Sequence, residues 1–138
     1  MMTIDEMQDV LDRLAEELPE VFFRHLNGGI VLLDEIKESE YSRSKDLYTL
    51  GEYHRGGAMG SYIKIYYGSF ERLFGHLSDE AMEKELRKTL RHEFRHHLEF
   101  LGGERGLEVE DANFIRDYLE GPLPMRGRKD GPLKRLKK

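Results

Sequence analysis

The sequence predicts a single α+β domain in which a small, twisted, three-stranded sheet packs on an N-terminal helix and on a long histidine-bearing helix. Three observations support this prediction. The chain has 138 residues, the length of one domain with its own core. Apolar residues recur at helical spacing in two separate segments. Between those segments lie short runs of β-branched and aromatic residues bounded by glycine, which are typical of strands.

The first helix is predicted to begin after Thr3, because Glu6 follows three residues later in the pattern of a capping box. Apolar residues then recur at helical spacing as far as Pro19: Met7, Val10, Leu11, Leu14 and Leu18. A second, short helical segment is predicted after Pro19, and the glycines at 28 and 29 are a strong signal for its end.

Three strands are predicted next. The apolar run 30–33, followed by two acidic residues, indicates a buried strand. Segments 47–55 and 61–67 flank a glycine-rich stretch and indicate a hairpin or a strand pair with a flexible loop. We expect an exposed edge strand here to pair an extended substrate through main-chain hydrogen bonds.

The C-terminal half is predicted to be helical. One or two turns are expected at 69–74, and a long helix at 79–101 with Ser78 as its N-cap and two glycines at its end. A shorter helix is predicted at about 109–119. We therefore assign residues 1–121 to the domain and residues 122–138 to a basic, flexible tail.

Composition restricts the chemistry and the partners. The chain has no cysteine, so any metal must be held by His, Asp, Glu or water. No apolar run is long enough to span a membrane and no basic start precedes one, so we expect a soluble, cytoplasmic protein without a membrane partner. The net charge of −5 includes a basic end with four Lys, three Arg and one Asp. A short tail of this kind is usually solvated, which disfavours a nucleic-acid partner.

The motif His92-Glu93-Phe94-Arg95-His96 has the spacing of a zinc site on a helix. His96 lies about 40° around the helix from His92 and one turn along it, so both imidazoles can reach one ion. Glu93 lies beside them and is predicted to act as general base on a zinc-bound water. The alternative is that two His and one Glu occur together by chance in a charged, solvated helix.

A helical wheel places the two histidines between two faces. The predicted core face holds Leu86, Leu90, Phe94, Leu98 and Leu101. A second, solvated stripe holds Lys84, Arg87, Lys88, Arg91 and Arg95. The seam between them is where the floor of a cleft would lie, which favours a ligand role for His92 and His96. His97 falls on the apolar side, so we expect it in the core or behind the metal ligands.

A catalytic zinc usually has three protein ligands, and the sequence leaves the third one open. Glu99 shares the helix face, but it lies about 10 Å along the axis from His92, too far for a comfortable third ligand. After the glycines at 102 and 103 the chain can turn back and present an acid. The candidates are Glu104, Glu108, Glu110 and Asp111, of which we prefer Asp111 and Glu108 because they precede or open the next helix.

The order of these elements over residues 3–119 resembles the short bacterial zincin-like metallopeptidases, a minimal zincin family. In that family two histidines and a glutamate match His92, His96 and Glu93, and a further histidine matches His97. The family commonly has glycine and then aspartate after the second ligand, where this chain has Glu99 and Gly102. The resemblance therefore implies a minimal zincin-like fold and a Zn²⁺ cofactor, and leaves the third ligand unassigned.

The predicted function is a zinc-dependent metallopeptidase, a hydrolase that cleaves a peptide or protein substrate. Tyr66 or Tyr67 is considered as a donor to the developing oxyanion, although packing in the core or at the surface is the preferred role for each. One alternative is a non-catalytic domain that keeps the zincin scaffold and binds metal or protein. Another is a nucleic-acid accessory protein that uses the basic tail and the arginines at 87, 91 and 95.

Overall fold

A three-stranded mixed sheet and three α-helices make up the computed structural model, which describes residues 1–39, 47–56, 60–101, 113, 116 and 117. This confirms the α+β class. In chain order the elements are α1 (Ile4–Glu16), a 3₁₀-helix (Glu20–Phe23), β1 (Gly29–Leu33), β2 (Gly51–His54), β3 (Tyr62–Tyr66), α2 (Tyr67–Phe74) and α3 (Asp79–Phe100).

Local signals define α1 as predicted. The capping box is present in full: the Thr3 amide donates to Glu6 Oε1 at 2.8 Å, and the Glu6 amide donates to Thr3 Oγ1 at 3.1 Å. The apolar stripe of α1 is buried through Met7, Leu11 and Leu14. The predicted second segment is a 3₁₀-helix, which begins directly after Pro19.

The strands are arranged in the order β1-β3-β2, with β1 parallel and β2 antiparallel to β3. The predicted strand pair is confirmed, but β2 is shorter than the predicted 47–55. The Ser39 amide donates to the Leu47 carbonyl and the Thr49 amide to the Lys37 carbonyl, so the start of the segment pairs outside the sheet. β1 is only partly buried along its length, contrary to prediction, because it lies at an edge while β3 is central.

A glycine makes the turn from β3 into α2. The strand ends at Tyr66, and the helix begins at Tyr67, two residues earlier than expected. The Gly68 amide donates to the Glu35 carbonyl at 3.0 Å. A Cβ at position 68 would lie 2.8 Å from that carbonyl oxygen and 2.5 Å from Ile36 Cγ1, so no larger residue fits without a shift.

The long helix α3 begins as predicted, with Ser78 Oγ accepting from the Ala81 amide at 3.2 Å. Its predicted core face is confirmed, since Leu86, Leu90, Phe94 and Leu101 are buried. Leu86, Leu90 and Phe94 share one core with side chains from the other layers, including Leu11, Phe22, Ile63, Ile65 and Phe70, and the partly buried Leu98 packs against it. Among the described residues, no helix combines the length and the apolar character of a membrane span.

The predicted solvated stripe of α3 is partly wrong. Arg91 is only 9% exposed. The Arg87 guanidinium donates to Glu17 at 2.9 Å, and Arg13 makes two hydrogen bonds of 2.9 and 3.0 Å to the buried Glu83 carboxylate. For Arg87 the reason is that α1 packs along this side of α3, which a helical wheel of α3 alone does not reveal.

Several predictions concern residues outside the described part of the chain. They are the helix at 109–119, of which only the helical positions 113, 116 and 117 are described, and the tail at 122–138. The glycine-rich stretch between β2 and β3 is described only at residues 56 and 60.

Candidate metal centre

Two imidazole nitrogens on α3 lie at the separation that a shared zinc ion requires. His92 Nε2 and His96 Nε2 are 3.3 Å apart, and the two rings are nearly perpendicular. In a tetrahedral site with Zn–N bonds of about 2.0–2.1 Å, two ligand nitrogens are about 3.3 Å apart. Both side chains are exposed to the cleft described below. The pair therefore fits zinc without a change of helix geometry.

The protonation of His92 also suits a metal. Partial burial lowers the pKa of His92, and the neighbouring charges of His96 and Arg95 lower it further, against a smaller opposing effect of Glu99. A lowered pKa keeps the His92 ring neutral at neutral pH. Neutral imidazole is the form that binds metal.

Glu93 has the location and the pKa of a residue that can transfer a proton. It is only 5% exposed although it lines the same cleft as the two histidines. Burial raises the pKa of Glu93 to about 7, with His96 opposing this shift and Glu52 adding to it. A carboxyl group with a pKa near 7 can both accept and release a proton at neutral pH.

A cleft of about 810 Å³ brings these groups together. One wall is the strand segment 51–55, and the other is α3 with His92, Glu93, His96, Glu99 and Phe100. A second hollow of about 370 Å³ shares Gly51, His92 and Glu93 and continues along residues 48–50. Together they form a trough in which the histidine pair and Glu93 face an edge strand.

Gly51 allows β2 to approach α3 closely at this point. A Cβ at position 51 would lie 2.9 Å from Thr89 Cγ2 and 3.2 Å from the Lys64 carbonyl oxygen. Any side chain here would push the strand away from the helix. The narrow distance between the walls therefore depends on this glycine.

The register of β2 against β3 determines in which direction each of its main-chain N–H and C=O groups points. The Tyr66 amide donates to the Leu50 carbonyl, so the pair 50:66 exchanges hydrogen bonds, and the pairs 52:64 and 54:62 follow by alternation. The N–H and C=O groups of Gly51 and Tyr53 consequently point away from β3. β2 is an edge of the sheet, so these groups are directed to its outer side.

The described residues do not complete the metal site. No group of three potential ligands occurs among them. The Glu99 carboxylate lies 3.7 Å from His96 Nδ1, the nitrogen opposite the one that faces His92, and its side chain is 68% exposed. Glu104, Glu108, Glu110 and Asp111 lie outside the described residues. The choice of Asp111 and Glu108 therefore stays a prediction.

Tyr66 and Tyr67 have the packing roles that were preferred for them over donation to an oxyanion. The Tyr66 hydroxyl donates to Glu52 at 2.8 Å, and the Tyr67 hydroxyl donates to the Met2 carbonyl at 2.6 Å. Neither residue lines the described cleft. Both hydroxyls have structural partners instead.

Sequence reasoning missed two residues of β2. The Tyr53 hydroxyl lies 2.6 Å from Nδ1 of the buried His97, and Glu52 accepts from Tyr66, from His54 at 3.0 Å and from Lys37. Burial alone would raise the pKa of Glu52, but these hydrogen bonds outweigh it and lower the pKa to about 2. Strand alternation could have placed Gly51 and Tyr53 on one face, but no local signal identifies α3 as the element they meet.

Comparison with known proteins adds a structural relative. No family model matches the chain, and no curated protein is similar to it. A solved structure of a conserved hypothetical protein from Thermus thermophilus is 35% identical, with a TM-score of 0.65. The match covers 73% of this chain and 98% of that chain. At this identity and coverage, the chain belongs to the same family as the conserved hypothetical protein from Thermus thermophilus.

Proposed function

We propose that this protein is a zinc-dependent metallopeptidase with a minimal zincin-like fold. The observation that carries the proposal is the 3.3 Å separation of the His92 and His96 Nε2 atoms in a cleft that also contains the buried Glu93. His92 and His96 would hold Zn²⁺ with one acid from beyond α3, of which Glu108 and Asp111 remain our first choices.

The chemistry of peptide hydrolysis assigns a role to Glu93. A water oxygen bonds to the carbonyl carbon, the carbon–nitrogen bond breaks, and one proton must move from the water to the departing nitrogen. Glu93 can accept that proton and then release it, because its pKa is about 7. Zinc, when bound, supplies the positive charge that polarises the carbonyl and acidifies water.

The edge strand supports a peptide as the substrate. An extended chain beside β2 could pair with the outward N–H and C=O groups of Gly51. Main-chain pairing recognises the peptide backbone more than its side chains, so we expect little sequence specificity. It would also align the scissile bond along the trough that contains Glu93.

The first test is the metal content of the tag-free, full-length chain, measured by elemental mass spectrometry. We expect near-stoichiometric zinc in the wild type and its loss in His92→Ala and His96→Ala. His76→Ala, an exposed histidine outside the cleft, is the matched control and should retain zinc. Alanine substitutions at Glu99, Glu104, Glu108, Glu110 and Asp111 identify the third ligand. A chain that cannot be loaded with zinc would refute the proposal.

The second test separates a peptidase from a metal-binding scaffold. With a library of quenched fluorescent peptides, Glu93→Gln should reduce kcat about 10²–10⁴-fold and leave the zinc content unchanged. Equal, low activity of the zinc-loaded wild type and Glu93→Gln would favour the alternative, a non-catalytic zincin-scaffold domain that binds metal or protein.

A further inference from the structure

His97 is fully engaged on both sides of its ring. It is 1% exposed, with Nε2 2.8 Å from the Arg24 carbonyl oxygen and Nδ1 2.6 Å from the Tyr53 hydroxyl. A carbonyl oxygen can only accept, so Nε2 carries the proton. Nδ1 must then accept from the Tyr53 hydroxyl. The two partners fix one tautomer and one ring orientation, so His97 has no nitrogen left for a metal.

These two hydrogen bonds join three separate parts of the fold. His97 belongs to α3, Tyr53 to β2, and Arg24 to the turn that follows the 3₁₀-helix. The residue after Arg24, His25, has a left-handed backbone conformation with a φ of 63°. The Leu26 amide closes the turn by donating to the Phe23 carbonyl at 3.0 Å.

Alternate residues of the cleft wall meet α3, but by different interactions. Gly51 is in close van der Waals approach to Thr89, and the Arg55 guanidinium lies over the Phe100 ring at 5.2 Å. Between them the Tyr53 hydroxyl bonds to His97. Of these three contacts, the Tyr53–His97 contact is a short hydrogen bond to a buried partner. Because a hydrogen bond restricts both direction and distance, this contact fixes the strand most tightly.

We infer that His97 and Tyr53 form a positioning pair that holds the edge strand β2 at a fixed distance from Glu93 and the His92–His96 pair. His97 acts through Tyr53 and does not touch the reacting groups. The inference deepens the proposed function and rests on it, because β2 is the wall on which the peptide is expected to lie.

One arm of the test does not depend on activity. Amide hydrogen exchange is measured by NMR on the full-length chain for Tyr53→Phe and for Tyr67→Phe, the matched control. Both tyrosines are half-buried and each loses a hydroxyl in a 2.6 Å hydrogen bond. We expect the Glu52 and His54 amides to exchange at least about tenfold faster in Tyr53→Phe only, with the β1–β3 amides unchanged.

The other arm measures catalysis on zinc-loaded protein. Tyr53→Phe and His97→Gln should each lower kcat/KM about tenfold, mainly through KM, with unchanged zinc content. The double variant should lose no more than the larger single loss, because both changes break the same contact. Tyr67→Phe should lose thermal stability but keep its KM.

The outcomes separate the two proposals. If the zinc-loaded wild type cleaves no peptide, the proposed function fails, and the exchange experiment alone decides whether the pair holds β2. If β2 exchange and KM in Tyr53→Phe equal those in Tyr67→Phe, the positioning role is overturned while the peptidase function stands.

Discussion

At the scale of single residues, the backbone of His25 is in the left-handed region, with a φ of 63°. Among the described residues it is the one non-glycine residue with a positive φ. A side chain in this region costs about 1–2 kcal/mol through the approach of Cβ to the carbonyl oxygen. The same turn presents the carbonyl of the preceding residue, Arg24, which accepts a hydrogen bond from His97.

This strain leads to a stability prediction. His25→Gly and His25→Ala both remove the imidazole, but only glycine adopts a positive φ without strain. We expect His25→Gly to be more stable than His25→Ala by about 1 kcal/mol, after the larger entropy loss of glycine on folding. Urea denaturation of the two variants measures the difference. Equal stabilities would mean that the turn relaxes when the imidazole is lost.

Single residues also show how far the site could be predicted. His92, Glu93 and His96 follow from spacing on one helix, because residues four apart lie on the same side. The hydrogen-bond partner of His97 could not be predicted in this way, because Tyr53 lies 44 residues earlier and on another element. Arg91 was wrongly placed in solvent, because a wheel gives the direction of a side chain but not what packs against it.

At the scale of elements, the Glu52 carboxylate also holds β2 in place. It accepts hydrogen bonds from Tyr66, His54 and Lys37. The pKa of Glu52 is about 2 in the folded protein against 4.5 as its ordinary value. A lowered pKa means that the ionised form stabilises the fold. This contribution is present above pH 4.5 and is lost as the pH falls towards 2.

Glu52→Gln should therefore unfold more easily than the wild type at pH 6, and the difference should shrink as the pH falls from 4.5 towards 2. Thermal unfolding of both proteins over this pH range, each at several salt concentrations, measures it. Asp9→Asn on the exposed side of α1 is the control for general acid effects. A wild-type advantage that stays constant as the pH falls to 2 would contradict the assignment.

Element boundaries were predictable where the signal is local. The capping box of α1 and the Ser78 cap of α3 depend on residues within three positions of each other, and both helices begin where they were expected. The end of β3 was predicted one residue too late. The residue that begins α2 is fixed by the contact of Gly68 with Glu35, more than 30 residues away, and periodicity cannot reveal such a contact.

At the scale of the whole molecule, an ion-pair network joins α1 to α3. Glu83 is 2% exposed and receives two hydrogen bonds from Arg13, with Arg87 3.6 Å away. The Arg13 side chain is 47% exposed, so water screens this pair, and removing Arg13 costs less than the roughly 3–5 kcal/mol of a fully buried ion pair. Because Arg87 also remains close to Glu83, we expect Arg13→Met to reduce the free energy of unfolding by about 1–2 kcal/mol.

The matched control is Lys88→Met, which removes an exposed ion pair with Glu85 on α3 and should cost less than about 0.5 kcal/mol. Chemical denaturation of the two variants compares the partly buried pair with the exposed pair directly. Similar losses in both would show that water or Arg87 fully compensates Glu83.

The packing of α1 on α3 has a consequence during synthesis on the ribosome. The apolar stripe of α1 is complete once Glu16 is made, but the helix that covers it ends at Phe100, more than 80 residues later. At a synthesis rate of about 5–20 residues per second, several seconds pass before α3 is made and can cover the apolar stripe of Met7, Leu11 and Leu14. We therefore expect the apolar stripe of α1 to be exposed on the nascent chain, where a chaperone that recognises amphipathic segments can bind it, until α3 packs against it.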